Sequence, residues 1–286
     1  MKQPQRNTFP APQALAVALG LALAGAMPAQ AITNATPTTA FQAVGFFGVQ
    51  VAPDWVLTVN HVAAAFFPTN ADTIAFSNGF GIRGVIDRFD APGAGPFPAN
   101  DLSLLRLAPG SGGAPAFYLP INSDLFSNGV FPALDITITS AANSTLPRAY
   151  AQTTVTEFAT QLDPDGGGPL GPVTVNYLLS LDAQRYVVSG DSGGGLFLGH
   201  VTDATSPLLG LASAQLGEVG QPPTGSAFVQ LAAYRSWIDA TLAGAAGNSQ
   251  QLQWVSSVPE ASSLLLWALG LAIVSGAAVL RRPAGR

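Results

Sequence analysis

No cysteine occurs in this chain of 286 residues, and lysine occurs once, at Lys2. Without thiols there is no disulfide framework, no thiolate metal site and no cysteine nucleophile. Charge is scarce: Asp, Glu, Lys and Arg together make up 9% of the chain. Between positions 32 and 257, fifteen acidic residues stand against six arginines. There is no basic stripe, which argues against nucleic-acid binding. The formal net charge of −5 suits a soluble surface. The two histidines, His61 and His200, lie on separate segments and make no metal site. Asp163 and Asp165, before three glycines, offer oxygen ligands but lack the twelve-residue calcium-loop pattern with its terminal Glu. They read as a solvated loop. Neither a metal nor a cofactor is expected.

The chemistry-bearing run is Ser189, Gly190, Asp191, Ser192, Gly193, Gly194, Gly195, Leu196. A serine hydroxyl is a weak nucleophile unless a base takes its proton and N–H groups receive the developing charge. Glycines around Ser192 let the backbone turn sharply and let a carbonyl approach closely. A plain glycine loop between strands is the other reading of this run alone. Of the two histidines, His61 is the better base. It ends the apolar run Trp55, Val56, Leu57, Thr58, Val59, Asn60 and precedes small residues suited to a short helical turn. Asp101 opens the alternating strand Leu102, Ser103, Leu104, Leu105, Arg106, Leu107 and offers a carboxylate to orient an imidazole. Taken singly, it also reads as a strand-edge or capping aspartate.

Together these segments resemble the chymotrypsin-like (trypsin-fold) serine endopeptidases. That family's signatures run roughly W-V-L-T-A-A-H, D-I-A-L-L and G-D-S-G-G. Here they stand at 55–61, 101–105 and 190–194, in the order His, Asp, Ser and separated by 40 and 91 residues. That order argues against an esterase or lipase of the α/β-hydrolase type. A further match lies at 227–231 followed by Tyr234, Arg235, Ser236, Trp237 and Ile238. The resemblance covers about 32–242. It implies Ser192 as nucleophile, His61 as base then acid, Asp101 as orienting carboxylate, and an oxyanion hole from the backbone N–H groups of Gly190 and Ser192. The implied activity is hydrolysis of protein or peptide substrates through an acyl-enzyme. The alternative is a catalytically inactive surface binding or matrix protein on the same fold.

The resemblance also implies that Asp191 pairs with a free amine at Ile32. Its primary pocket would involve Tyr186, Ser213, Gln215 and Ser226. Tyr186 stands where a trypsin-type aspartate would select Lys or Arg, so the expected specificity is not trypsin-like.

The ends carry targeting features. Lys2 and Arg6 precede an apolar run at 14–27 and an A-x-A site at 29–31, which read as a signal peptide cleaved before Ile32 by signal peptidase. The run 262–280 is long enough to span a bilayer and is followed by Arg281 and Arg282. With Pro259 and Glu260 before it, the 258–286 segment resembles the PEP-CTERM sorting tail, with Ala261 in place of the second proline. That resemblance implies an exosortase-type processing enzyme and a catalytic body at the cell surface or outside the cell. An ordinary membrane anchor is the other reading.

Short apolar runs recur between Gly, Pro and Asn residues, which predicts an all-β body. Runs fall at 43–51, 56–59, 73–76, 84–88, 102–107, 135–140, 151–158, 174–179, 187–188, 194–197, 208–214 and 227–231. The resemblance implies two six-stranded antiparallel barrels dividing near 120–135. Spacing of Tyr234, Trp237 and Ile238 predicts a closing helix over 231–242. Residues 243–257, small and polar, read as a linker.

Overall fold

The structure, a computed structural model, describes residues 32–67, 75–95, 97–109, 117–127, 133–140, 148–162, 172–218 and 221–256. The expected signal peptide, sorting tail and membrane span, and the 163–168 loop, lie outside them. Among the described residues no helix is long and apolar enough to cross a membrane.

The body is built from two barrel-like sheets. A two-residue strand, β1 (Thr36–Pro37), comes first. The first sheet holds β2 (Val44–Gly45), β3 (Gly48–Ala52), β4 (Trp55–Thr58), β5 (Ala75–Asn78), β6 (Gly81–Asp90) and β7 (Ser103–Leu107). Their spatial order is β2-β3-β4-β7-β6-β5. A seven-residue helix, α1 (Asn60–Phe66), follows β4.

The second sheet holds β8 (Pro120–Asn122), β9 (Leu134–Thr139), β10 (Ala149–Val155), β11 (Glu157–Leu162), β12 (Val173–Ser180), β13 (Gly195–Leu198), β14 (Leu208–Leu216) and β15 (Gly225–Gln230). Its main path is β1-β10-β9-β13-β14-β15-β12-β11. A 3₁₀ turn (Leu231–Tyr234) leads into α2 (Arg235–Gly244), and β16 (Gln253–Val255) ends the described chain.

The strands follow side-chain pattern. β4 is buried throughout, because both its faces are covered. β10 alternates between buried and half-buried positions, the period of a one-sided strand. One apolar core draws on both sheets, with Val49, Trp55 and Leu104 from the first and Tyr177, Leu211 and Val229 from the second. A smaller cluster gathers Ile32, Ile138, Leu196 and Phe228.

Several expectations need correction. Among the described residues the second sheet has ten strands, not six. Two of the additions are parallel: β8 pairs with β14, and β16 with β8. The run 43–51 is broken by a turn at Phe46 and Phe47, and 151–158 is broken at Thr156. Residues 187–188 are not a strand. The N–H of Val187 goes to Ser226 Oγ at 2.9 Å, and that of Val188 to Asp191 Oδ2 at 2.8 Å.

The expected linker is docked. Asn248 Oδ1 accepts from the Trp55 indole at 3.1 Å, and Gln250 Nε2 donates to Asp54 Oδ2 at 2.6 Å. Residues 245–256 thus strap α2 to the first sheet and, through β16, to β8.

Candidate active site

Three segments converge between the sheets. β4 ends at Thr58 and α1 begins two residues later, so His61 sits in the first turn of a helix. N–H groups in a first turn have no partner within the helix. Here the His61 N–H donates to Asp101 Oδ1 at 2.8 Å. The other carboxylate oxygen, Oδ2, lies 2.8 Å from His61 Nδ1. Asp101 is 2% exposed and stands just ahead of β7. β7 pairs with β4 (Thr58 opposite Ser103), and that register brings Asp101 under the imidazole.

Ser192 lies in the turn before β13. Its Oγ is 3.0 Å from His61 Nε2. The turn is fixed by its own backbone: Asp191 N–H to Val188 carbonyl at 3.0 Å, Gly194 N–H to Asp191 carbonyl at 2.9 Å, Gly193 N–H to Ala212 carbonyl at 2.8 Å. Gly190 has φ +100° and Gly193 φ +86°, a region that disfavours side chains. A Cβ on Gly193 would meet the Phe47 carbonyl oxygen at 2.3 Å. The glycine is therefore required by both torsion and space.

Asp191 points inward. Its Oδ2 accepts from Val188 N–H and, at 3.0 Å, from Ile32 N–H. Burial raises this carboxyl to about 7, against the pull of those two backbone donors. Ile32 is itself 1% exposed.

The expected pocket residues divide. Gln215 and Ser226 are register partners on β14 and β15. Both hold the Val187 backbone, Gln215 Nε2 donating to its carbonyl at 3.0 Å and Ser226 Oγ accepting from its N–H. Tyr186 is half-buried, and its carbonyl accepts from Thr33 N–H at 3.1 Å. The Ser213 hydroxyl donates to Asp101 Oδ2 at 2.5 Å.

The trypsin family model matches residues 29–238. The chain belongs to the trypsin family. A mutant of human heparin binding protein (CAP37) has a similar structure, with a TM-score of 0.50 over 77% of this chain and 100% of that one, at 18% identity. At that identity the likeness is one of fold. No curated protein matches the chain.

Within this trypsin-family fold, His61, Asp101 and Ser192 meet, as do Ile32 and Asp191. His200 lies apart, with Nε2 3.2 Å from the Thr153 carbonyl. Two neighbours escaped the sequence reading. Phe97 sets its ring edge-on to His61 at 5.0 Å. Tyr177 Oη lies 2.7 Å from Ser213 Oγ. Neither carries a local motif; Tyr177 is brought in by the pairing of β12 with β11 and β15, and Phe97 lies in the loop that leads to Asp101. Among the described residues no group of His, Asp or Glu is arranged to hold a metal ion.

Proposed function

We propose that this chain is an exported serine endopeptidase. The observation that carries the proposal is the continuous line of contacts from Ser192 Oγ through His61 to Asp101. With Nδ1 protonated toward Asp101, Nε2 is free to accept the Ser192 proton. Oγ then attacks a peptide carbonyl carbon. The N–H groups of Gly190 and Ser192 receive the resulting oxyanion. His61 passes its proton to the leaving amine, and an acyl-enzyme remains on Ser192. Water, deprotonated by His61, attacks the ester and frees the enzyme. Asp101 holds the imidazole's tautomer and stabilises its charged form.

The preferred residue at the cleaved bond is small and uncharged. Gln215 bridges β14 to the Val187 carbonyl, and none of the residues that the family resemblance assigns to the primary pocket, Tyr186, Ser213, Gln215 and Ser226, carries a formal charge. Activation proceeds by signal peptidase. In the full chain Ile32 N is a peptide nitrogen; cleavage after Ala31 turns it into an ammonium beside Asp191. Export rests on the 2–31 and 262–280 segments, with an exosortase-type enzyme and the membrane as further partners. Heparin, which the structural neighbour's name carries, does not suit this chain. It is a polyanion, and this body holds only six arginines against fifteen acids.

The test is a peptide-library cleavage profile with Ser192→Ala as control. Cleavage after small residues, lost at least about a thousandfold in the variant, supports the reading. Equal turnover by both ends it.

A further inference from the structure

Asp101 is reached by a second line of hydrogen bonds, from the side away from His61. Ser213 Oγ is 2.5 Å from Asp101 Oδ2, and Tyr177 Oη is 2.7 Å from Ser213 Oγ. All three are buried: Tyr177 1% exposed, Asp101 2%, Ser213 5%. We infer that Tyr177 is a positioning residue, whose phenol donates to Ser213 and thereby aims and strengthens the Ser213 hydroxyl's bond to Asp101. The inference rests on the endopeptidase reading above and deepens it.

Proton counting sets the direction. A carboxylate only accepts, and a serine hydroxyl has one proton. The Ser213 proton is therefore committed to Asp101. Ser213 Oγ must then be the acceptor toward Tyr177, and the phenol must donate. Burial pushes the Tyr177 hydroxyl well above its ordinary range, so it stays a donor throughout the working pH. The competing acceptor, the Pro98 carbonyl, is farther, at 3.3 Å. Hydrogen bonds in series polarise one another, so donation by Tyr177 makes Ser213 a better donor. The line runs from β12 through β14 to Asp101, α1 and the Ser192 turn, and so joins both sheets at the reacting groups.

Other ionisable groups face this line. Tyr234, behind Asp101, donates to Asn100 Oδ1 at 3.0 Å. Arg88, paired with Asp90, donates to the Ala63 carbonyl of α1 at 3.0 Å and to Asn60 Oδ1 at 3.3 Å. Replacing Tyr177 by Phe changes none of their charges.

The experiment is steady-state kinetics of the full chain carrying Tyr177→Phe, Ser213→Ala or both, over a range of pH. Without the phenol the Asp101 charge is less dispersed and holds the protonated imidazole more firmly. The acidic limb of kcat/KM then moves upward by about half a pH unit. A fall in kcat of about three- to tenfold accompanies it, with KM within twofold of the parent. Because the effect passes through Ser213, the double variant should be no worse than Ser213→Ala alone. A phenol that only fills space would lower Tm and leave the pH limb in place, and that result overturns the inference. If Tyr177→Phe does not fold, an unshifted limb in Ser213→Ala overturns it equally. A parent chain that fails to react with a fluorophosphonate overturns the endopeptidase reading itself, which separates the two failures.

Discussion

Gln215 and Ser226 face each other across β14 and β15 and grip the backbone of the same residue, Gln215 the Val187 carbonyl and Ser226 its N–H. On the endopeptidase reading a substrate side chain enters beside this bond, and the Gln215 side chain obstructs it. Replacing Gln215 with glycine removes that obstruction. Gln215→Gly should shift the cleavage preference from small toward large apolar residues by at least about tenfold in relative kcat/KM, since each added buried methylene brings about 0.8 kcal/mol. Competing peptide substrates that differ at one residue would read this shift. An unchanged ratio would place the specificity elsewhere.

On the proposed activation by signal peptidase, Asp191 makes stability depend on processing. In the unprocessed chain its folded value of about 7 lies above the ordinary 3.8, so the folded state holds the proton more tightly than the unfolded state. The stability it contributes is full below about pH 4 and is lost as pH rises toward 7, by up to about 4 kcal/mol. Processing places an ammonium beside the carboxylate, which favours its charged form and reverses the trend. Thermal melts of the unprocessed and Ile32-initiated chains from pH 4 to 8 should therefore slope in opposite directions. Parallel slopes would mean that the Ile32 nitrogen does not pair with Asp191 as a charge.

Gly193→Ala should be among the most damaging single changes. It puts a side chain at φ +86° and drives Cβ against the Phe47 carbonyl. We expect a loss of about 2–4 kcal/mol and loss of activity, because the turn that carries Ser192 must shift. Chemical denaturation and a turnover assay check both parts. Wild-type stability in this variant would show that the turn is free to relax.

Much of the site was legible in the sequence because each of its three main residues sits in a short, distinctive run. His61 closes an apolar strand, Asp101 opens one, and Ser192 lies among glycines. Alternating burial in β10 and full burial in β4 likewise follow from residue pattern. What was not legible depends on contacts with no local trace. Tyr177 reaches Ser213 across 36 residues, and nothing around either residue marks the pairing. The strand read at 187–188 was apolar enough, but its N–H groups serve Ser226 and Asp191 instead of a neighbouring strand. The run 243–257 looked like a tether because its residues are small and polar. Those same amides are what Trp55 and Asp54 bind.

That strap gives a stability prediction. Asn248→Ala leaves the indole N–H of the fully buried Trp55 without its acceptor and removes one of the two donors to the Leu242 carbonyl, Asn248 Nδ2 at 2.8 Å, the other being the Ala245 N–H at 3.3 Å. The expected cost is about 2 kcal/mol, or about 4–8 °C in Tm at this size. Hydrolysis by the folded enzyme should be unchanged, because Asn248 touches none of the reacting groups. Calorimetry together with kinetics at low temperature would test this, and an unaltered Tm would show that the strap is passive.

The central claim is that Ser192 is made nucleophilic by His61. Fluorophosphonate labelling of the full chain, read by intact mass and peptide mapping, tests it most directly. The account predicts one adduct, on Ser192, that disappears in His61→Ala while the fold persists. A folded wild-type chain that takes up no label, or labels equally without His61, would contradict it.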